Sequence, residues 1–266
     1  MKTRKPSFEW GRFFTEISGS RPRALLLDYD GTLAPFQVAR DRAVPYPRLG
    51  RALERIVRAG HTRVVLISGR ALRDLIPLLG LEPLPEVWGC HGWERLLPDG
   101  QYRGPELDPV VTHALEQALR WTHSAGLNGH CEEKPASVAV HWRGMDAGSI
   151  ARLRARVHAA WEPLAREPQL ELHEFDGGLE LRASGRNKGY AVASILRELE
   201  RDAIVVYAGD DRTDEDAFQA LSGHGVSILV RPEYRETAAD LWLRSPDEWA
   251  RFLEAWVAAD MAAGQK

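Results

Sequence analysis

Residues 23–33 read Arg-Ala-Leu-Leu-Leu-Asp-Tyr-Asp-Gly-Thr-Leu, an aliphatic run that stops on two carboxylates and a glycine. An unbroken apolar run of this length reads as a strand buried on both faces, the pattern of a parallel sheet covered by helices. Residues two apart in extended backbone share a side, so Asp28 and Asp30 face one crevice while Tyr29 faces away. Ligands of open α/β sheets bind beyond the carboxyl ends of strands, which is where this pair falls. Two carboxylates so close repel each other unless a cation compensates them or one holds a proton. A hard cation and acid–base chemistry are both open readings. An ordinary Asp-Gly turn is the bland one.

Outward from this strand, apolar runs alternate with helical patterns. Residues 63–67 (RVVLI) form a second strand and 86–90 a third, with helices over 47–59 and 71–79 that end at Gly60 and Gly80. After residue 186 the rhythm resumes, with a helix over 188–200, a strand over 203–207, a helix over 214–221 and a strand over 226–230. A last helix over 246–259 places Trp249, Phe252, Leu253 and Trp256 at core spacing. The middle differs. Two helices, 108–124 and 147–165, are each followed by a strand pair, and the second pair turns at Asp176-Gly177-Gly178. The predicted fold is α/β, a doubly wound Rossmann-like parallel sheet core (residues 1–106 and 184–266) with an inserted α+β cap domain (107–183).

The 266 residues suffice for a core domain with a smaller insert, and the net charge of −3 provides no global field for nucleic acid or an anionic membrane. A phosphorylated substrate therefore needs a local positive site. The start, residues 1–10, is basic without an apolar stretch, so no secretory leader is expected. No apolar run reaches the length of a membrane span. Cys90 and Cys131 lack metal-ligand spacing and read as reduced thiols. Cytoplasm is the expected compartment.

Three further segments carry chemistry. Ser68-Gly69-Arg70 lies between a strand and a helix, where a hydroxyl and open amides make an anion site with Arg70 on the substrate side; a plain helix cap is the alternative. Asn187-Lys188-Gly189 places a lysine in a first helical turn, against the helix dipole unless a phosphate or carboxylate answers it. Residues 209–216, GDDRTDED, follow a strand directly. Asp210 and Asp211 at the strand tip suit oxygen ligation of Mg²⁺, whereas Asp214, Glu215 and Asp216 also fit simple dipole complementation.

In that order DYDGTL, SGR, NKG and GDDRTDEDAF resemble the four motifs of the haloacid dehalogenase-like phosphatases. Together with GCHGWE (89–94), EEKPASVAVHWR (132–143) and LELR (179–182), they resemble the trehalose-phosphatases within that superfamily. The resemblance spans residues 23–230 and implies a mobile α+β cap. It implies Asp28 as the nucleophile of an aspartyl-phosphate, Asp30 as general acid and base, and Ser68 and Lys188 as phosphoryl-binding groups. Mg²⁺ would be held by Asp28, Asp210 and the main-chain carbonyl of Asp30, with Asp211 or Asp214 assisting. Glu132, Lys134, His141, Arg143 and Glu180 match positions used for the sugar; a solvated strand face is their alternative. His91 and Glu94 match too, more weakly. The expected partner is a small-molecule sugar phosphate, with no nucleic acid and no membrane, and the enzyme is expected to be a monomer beside a trehalose-phosphate synthase. Sucrose, mannosylglycerate or glucosylglycerate phosphates remain alternative substrates. A catalytically dead sensor is a different class, and the intact Asp28 and Asp30 speak against it.

Overall fold

The computed structural model describes residues 2–3, 8–19, 21–37, 39–175 and 177–264. In chain order the elements are β1 (Lys2–Thr3), α1 (Trp10–Ile17), β2 (Arg23–Leu27), α2 (Pro47–Ala59), β3 (Arg63–Ile67), α3 (Leu72–Leu79), β4 (Glu86–Gly89), β5 (Glu94–Leu96) and β6 (Tyr102–Arg103). There follow α4 (Pro109–Ser124), β7 (Cys131–Lys134), β8 (Ser137–His141), α5 (Ala147–Trp161), β9 (Leu170–Phe175) and β10 (Gly178–Ala183). The chain ends with α6 (Lys188–Glu198), β11 (Ile204–Gly209), α7 (Glu215–Leu221), β12 (Val226–Val230), β13 (Leu241–Leu243) and α8 (Pro246–Ala263). Two units result, Met1–Arg103 with Asn187–Lys266, and Gly104–Arg186.

The first unit carries one sheet in the order β1-β13-β12-β11-β2-β3-β4-β5-β6. From β13 to β4 all pairs are parallel, and the antiparallel pairs lie only at the two edges. β2 is central, with Leu27 in register with Ala208 of β11 and with Leu66 of β3. Its side chains alternate between two cores. Leu25 and Leu27 join α1, α2, α3 and α8, while Ala24 and Leu26 join α6 and α7. Each buried leucine contributes roughly 1.5–3 kcal/mol, which is why this strand reads as continuously apolar. The sheet is thus wound on both faces, as expected.

Helix ends follow local chemistry. α2 begins on Pro47 and stops at Gly60, whose φ of 72° is left-handed. The Asn187 side chain accepts from the Tyr190 amide to cap α6. The aromatic stripe of α8 is core: Trp249 and Trp256 are fully buried, and Phe252 packs against Trp10, Phe13 and Phe14 of α1. Some boundaries move. The helix expected over 147–165 stops at Trp161, because Pro163 breaks the pattern and a short 3-10 turn, Leu164–Arg166, follows. The strand expected over 86–90 ends at Gly89, and the helix expected from 214 starts at Glu215 after a 3-10 turn over Arg212–Asp214.

The second unit is an antiparallel sheet, β7-β8-β10-β9, with α4 and α5 on one face. Val138, Val140, Leu179 and Leu181 are buried on that side, and the alternate residues Ser137, Ala139, His141 and Glu180 lie on the other. Of the expected turn, Asp176 lies outside the described residues; Gly177 has φ 94°, a conformation that favours glycine. Among the described residues no helix is long and apolar enough to cross a membrane.

Candidate active site

Asp28 follows the end of β2, and its amide donates to the Ala208 carbonyl of β11 at 2.9 Å, which ties the two central strand tips together. Lys188 opens α6 and reaches the same point. Its Nζ donates to Asp28 Oδ1 at 2.6 Å and to Asp214 Oδ1 at 2.7 Å. All three residues are buried, Asp214 completely. This answers why a lysine stands in a first helical turn, since two carboxylates offset the unfavourable dipole. Thr32 donates to the other Asp28 oxygen at 3.2 Å.

The loop from Asp210 to Asp214 supplies the rest. Asp214 Oδ1 accepts from Lys188 and, at 2.5 Å, from the Tyr207 hydroxyl; Oδ2 accepts from the amides of Asp210 and Asp211 at 3.0 and 2.9 Å. Two bonds on each oxygen saturate a carboxylate. Asp210 is the opposite case. Its Oδ1 is buried with no hydrogen-bond partner, and its carboxylate lies where a Cβ on Gly31 would stand. Gly31, with φ 88°, is therefore needed both for its backbone and for this close approach.

Asp28, Asp210 and Asp214 offer oxygens within 4.8 Å of one another, a spacing that could hold a metal ion. By hydrogen-bond capacity they divide: Asp210 has an oxygen to spare, and Asp214 has none. Asp211 is outside this group. Its side chain accepts from the Arg212 amide at 2.7 Å and caps the short turn. The Asp30 carboxylate is also outside it, gripped by Arg70 through Nε to Oδ2 at 2.7 Å and Nη2 to Oδ1 at 2.6 Å.

Three buried carboxylates here face a single buried ammonium. Burial lifts Asp28 to about 7 against the pull of Lys188, with Asp214 and Asp30 adding to the rise. Burial also drives Asp210 well above the carboxylate range, helped by Asp28 and Asp214. Burial opposes the charge on Lys188, yet Asp214 and Asp28 outweigh it and hold its pKa above the ordinary lysine value. The cluster is short of positive charge, and a divalent cation at the orphaned Asp210 oxygen would supply it.

Ser68 is buried after β3, and its hydroxyl accepts from the Arg70 amide at 3.2 Å. The segment after β4 folds back on it: the His91 amide donates to the Ser68 carbonyl at 2.9 Å and the Cys90 amide to the Arg70 carbonyl at 2.8 Å. Cys90 and His91 take left-handed φ values of 49° and 56°, uncommon for non-glycine residues. The His91 ring occupies the space a Cβ on Gly69 would need, so the central glycine of Ser-Gly-Arg admits it. Glu94 is buried and organises this corner by accepting from the Leu72 amide at 3.0 Å, the Tyr102 hydroxyl at 3.0 Å and Cys90 Sγ at 3.1 Å.

In the second unit four of the sugar-site candidates, Glu132, Lys134, His141 and Glu180, share the sheet face away from the helices, while Arg143 lies in the turn after β8. Strand register sets Glu132 and Glu180 on either side of Ala139. Lys134 Nζ donates to Glu180 Oε1 at 2.7 Å, Ser137 donates to the same oxygen at 2.7 Å, and His141 Nε2 lies 2.7 Å from Glu132 Oε2. Arg143 lies against the Gly177 turn, its Nε 3.1 Å from where a Cβ would sit. Glu180 is only 2 % exposed, which a solvated strand face does not explain.

Some contributors were not legible in sequence. Tyr207 reads as an ordinary strand residue, yet its hydroxyl completes Asp214. Arg231 and Arg235, from the segment after β12, donate to the carbonyls of Asp210 and Asp211. Arginines in a polar loop carry no periodic signal that could single them out.

The parallel sheet with its antiparallel insert is similar in fold to BT1666 of Bacteroides thetaiotaomicron, described among the phosphatases of the haloalkanoate (HAD) enzyme superfamily, with TM-score 0.59, 15% identity and coverage of 95% and 98%. The trehalose-phosphatase sequence profile matches residues 26–247, and the chain belongs to the trehalose-phosphatase family. The trehalose-phosphate phosphatase of Mycobacterium ulcerans is 32% identical over 246 residues, covering 86% of this chain and 60% of that protein. That of Mycobacterium avium is 34% identical over 254 residues, covering 90% and 62%. The chain thus spans about three fifths of these relatives' length. In fold it is similar to the C-terminal domain of Candida albicans trehalose-6-phosphate phosphatase, with TM-score 0.79, 20% identity and coverage of 97% and 99%.

Proposed function

We propose that this chain is a Mg²⁺-dependent phosphatase that hydrolyses trehalose 6-phosphate to trehalose and phosphate through an aspartyl-phosphate on Asp28. The observation that carries the reading is the buried Asp28–Lys188–Asp214 cluster beside the orphaned Asp210 oxygen, in a chain of the trehalose-phosphatase family. Asp28 and Asp210 would hold the cation, with Asp214 too saturated to do more than organise it. When bound, Mg²⁺ would offset the charge of the transferring phosphoryl group.

Asp28 attacks phosphorus, an oxygen–phosphorus bond forms on its carboxylate, and the bond to the sugar oxygen breaks. Asp30 gives the departing oxygen its proton, then takes one from the water that hydrolyses the aspartyl-phosphate. The two aspartates are placed for different tasks. The Asp28 side chain is 4% exposed, whereas that of Asp30 is 26% exposed, accessible to a leaving group and to water. Each Asp30 oxygen accepts one bond from Arg70 and keeps a second lone-pair direction for a proton. Lys188 and Ser68 stabilise the phosphoryl oxygens, since phosphoryl transfer needs mainly positioning and electrostatics.

Glu132, Lys134, His141, Arg143 and Glu180 supply the charged acceptors and donors that bind a disaccharide dense in hydroxyl groups. The reading is completed by a monomeric enzyme in the cytoplasm, acting on the product of a trehalose-phosphate synthase. A phosphate-release assay with Mg²⁺ across trehalose, sucrose, mannosylglycerate and glucosylglycerate phosphates tests it. Preference for trehalose 6-phosphate is expected; preference for another member overturns the substrate, and no release from any overturns the activity.

A further inference from the structure

The loop that carries the acidic cluster is only five residues long, from the end of β11 at Gly209 to the start of α7 at Glu215. Its amides are tied from within, those of Asp210 and Asp211 donating to Asp214 Oδ2. Its carbonyls are tied from outside. Arg235 Nη2 donates to the Asp211 carbonyl at 2.6 Å, and Arg231 Nη1 reaches the Asp210 carbonyl at 3.4 Å. The other terminal nitrogen of Arg235 donates to the Glu215 carboxylate and, at 3.0 Å, to its neighbour Glu236's carbonyl. Glu215 is held further by the Thr237 hydroxyl at 2.8 Å and the Ala238 amide at 2.7 Å.

We propose that Arg235 is a positioning residue that fixes the direction of the Asp210 carboxylate by bridging the Asp211 carbonyl and Glu215 across the acidic loop. The inference rests on the reading of Asp28 and Asp210 as cation ligands. A planar guanidinium can hold two acceptors in one rigid geometry, which an ammonium cannot. That rigidity is what a cation site requires, because ligand oxygens must be held within about 0.5 Å of the productive position. Stability alone does not account for the arrangement. The Nε atoms of both Arg231 and Arg235 are buried without a partner, an arrangement that costs stability. With the loop's amides and carbonyls both tied, the Asp210 side chain is directed onto Gly31 and its free oxygen into the buried cluster.

The test is Mn²⁺ binding to substrate-free protein, read by electron paramagnetic resonance, for wild type, Arg235→Met and Arg235→Lys, at a temperature where melting curves show each to be folded. The Met variant is expected to bind Mn²⁺ roughly tenfold or more weakly, the range for a lost charge-assisted hydrogen bond. The Lys variant keeps the charge but not the fork and is expected to recover only part of the loss. Wild-type Mn²⁺ affinity in either folded variant overturns the proposal, and should the Met variant not fold, the Lys variant decides alone. Wild-type protein that binds no Mn²⁺ overturns the cation site and this proposal together; tight wild-type binding with unchanged variants overturns this proposal only.

Discussion

The guanidinium of Arg70 grips the carboxylate of Asp30 through two bonds of 2.7 and 2.6 Å, and its Cζ lies 5.7 Å from the centre of the Tyr29 ring. The sequence suggests Arg70 as a substrate ligand, and in this geometry its guanidinium also holds the proposed acid–base residue. Arg70→Lys, which cannot reproduce the fork, should lower kcat about tenfold or more with KM little changed. A variant with raised KM and unchanged kcat would instead return Arg70 to substrate binding.

Asp28→Asn should abolish turnover, by on the order of a thousandfold or more, because an amide is not a nucleophile toward phosphorus. Circular dichroism and melting should show the fold intact, since Lys188 keeps Asp214 as a partner. Residual phosphate release at a tenth of wild type or above would end the covalent reading. Lys188→Met should differ from it in stability. It strands two buried carboxylates, and the loss of one partner in a buried pair costs about 3–5 kcal/mol, visible as a large fall in Tm.

Chelation should remove activity and added Mg²⁺ should restore it, while Asp210→Asn should be inactive yet melt higher than wild type in EDTA. The higher melting follows from burial, which opposes charge on Asp210, and from repulsion by Asp28 and Asp214. An Asn variant that melts lower than wild type in EDTA would show that the Asp210 charge is already compensated by the protein.

In the second unit, Glu132→Ala, Lys134→Ala and Glu180→Ala should each lower kcat/KM for trehalose 6-phosphate by about ten- to a hundredfold, the range for a lost hydrogen bond to a charged group. The same changes should leave p-nitrophenyl phosphate, which has no sugar, near wild type. Lys134→Ala and Glu180→Ala also break a buried pair, so melting must be measured alongside. Equal losses on both substrates would assign these residues to the stability of their sheet.

Far from the acidic cluster, Glu198 is held at about 2, below the ordinary 4.5, by its bonds to Arg95 and Arg63. A depressed carboxylate stabilises the folded state fully above its unfolded pKa, and that contribution is lost as pH falls from about 4.5 toward 2. Denaturation midpoints across this window should fall less steeply for Glu198→Gln than for wild type. Identical slopes would show that the pair is screened by solvent to no effect, since the Glu198 side chain is 41% exposed.

How far the sequence could be read depended on the range over which each signal is encoded. β2 is buried at all five positions and β3 and β12 at their last four, so a nearly continuous apolar run is enough to identify them. β5, β6 and β13 are two or three residues long and were not legible, because a strand that short is defined by its neighbour and not by its own pattern. α1 escaped for a related reason. Its aromatic residues pack against Phe252 and Trp256 of α8, more than two hundred residues away.

Strand ends, caps and carboxylate spacing are local properties of the chain, and from them alone follow the helices wound around a parallel sheet and the places of Asp28, Asp30 and Asp210 at strand tips. Which partners those groups meet depends on the folded molecule. It divides the acidic residues into Asp210, with an oxygen to spare, and Asp214, saturated by Lys188, Tyr207 and two amides; it turns Arg70 onto Asp30; and it brings Arg235 to the outside of the acidic loop. Hydrogen-bond capacity and buried charge are settled between side chains far apart in sequence, and no one-dimensional pattern records which partner reaches which oxygen first.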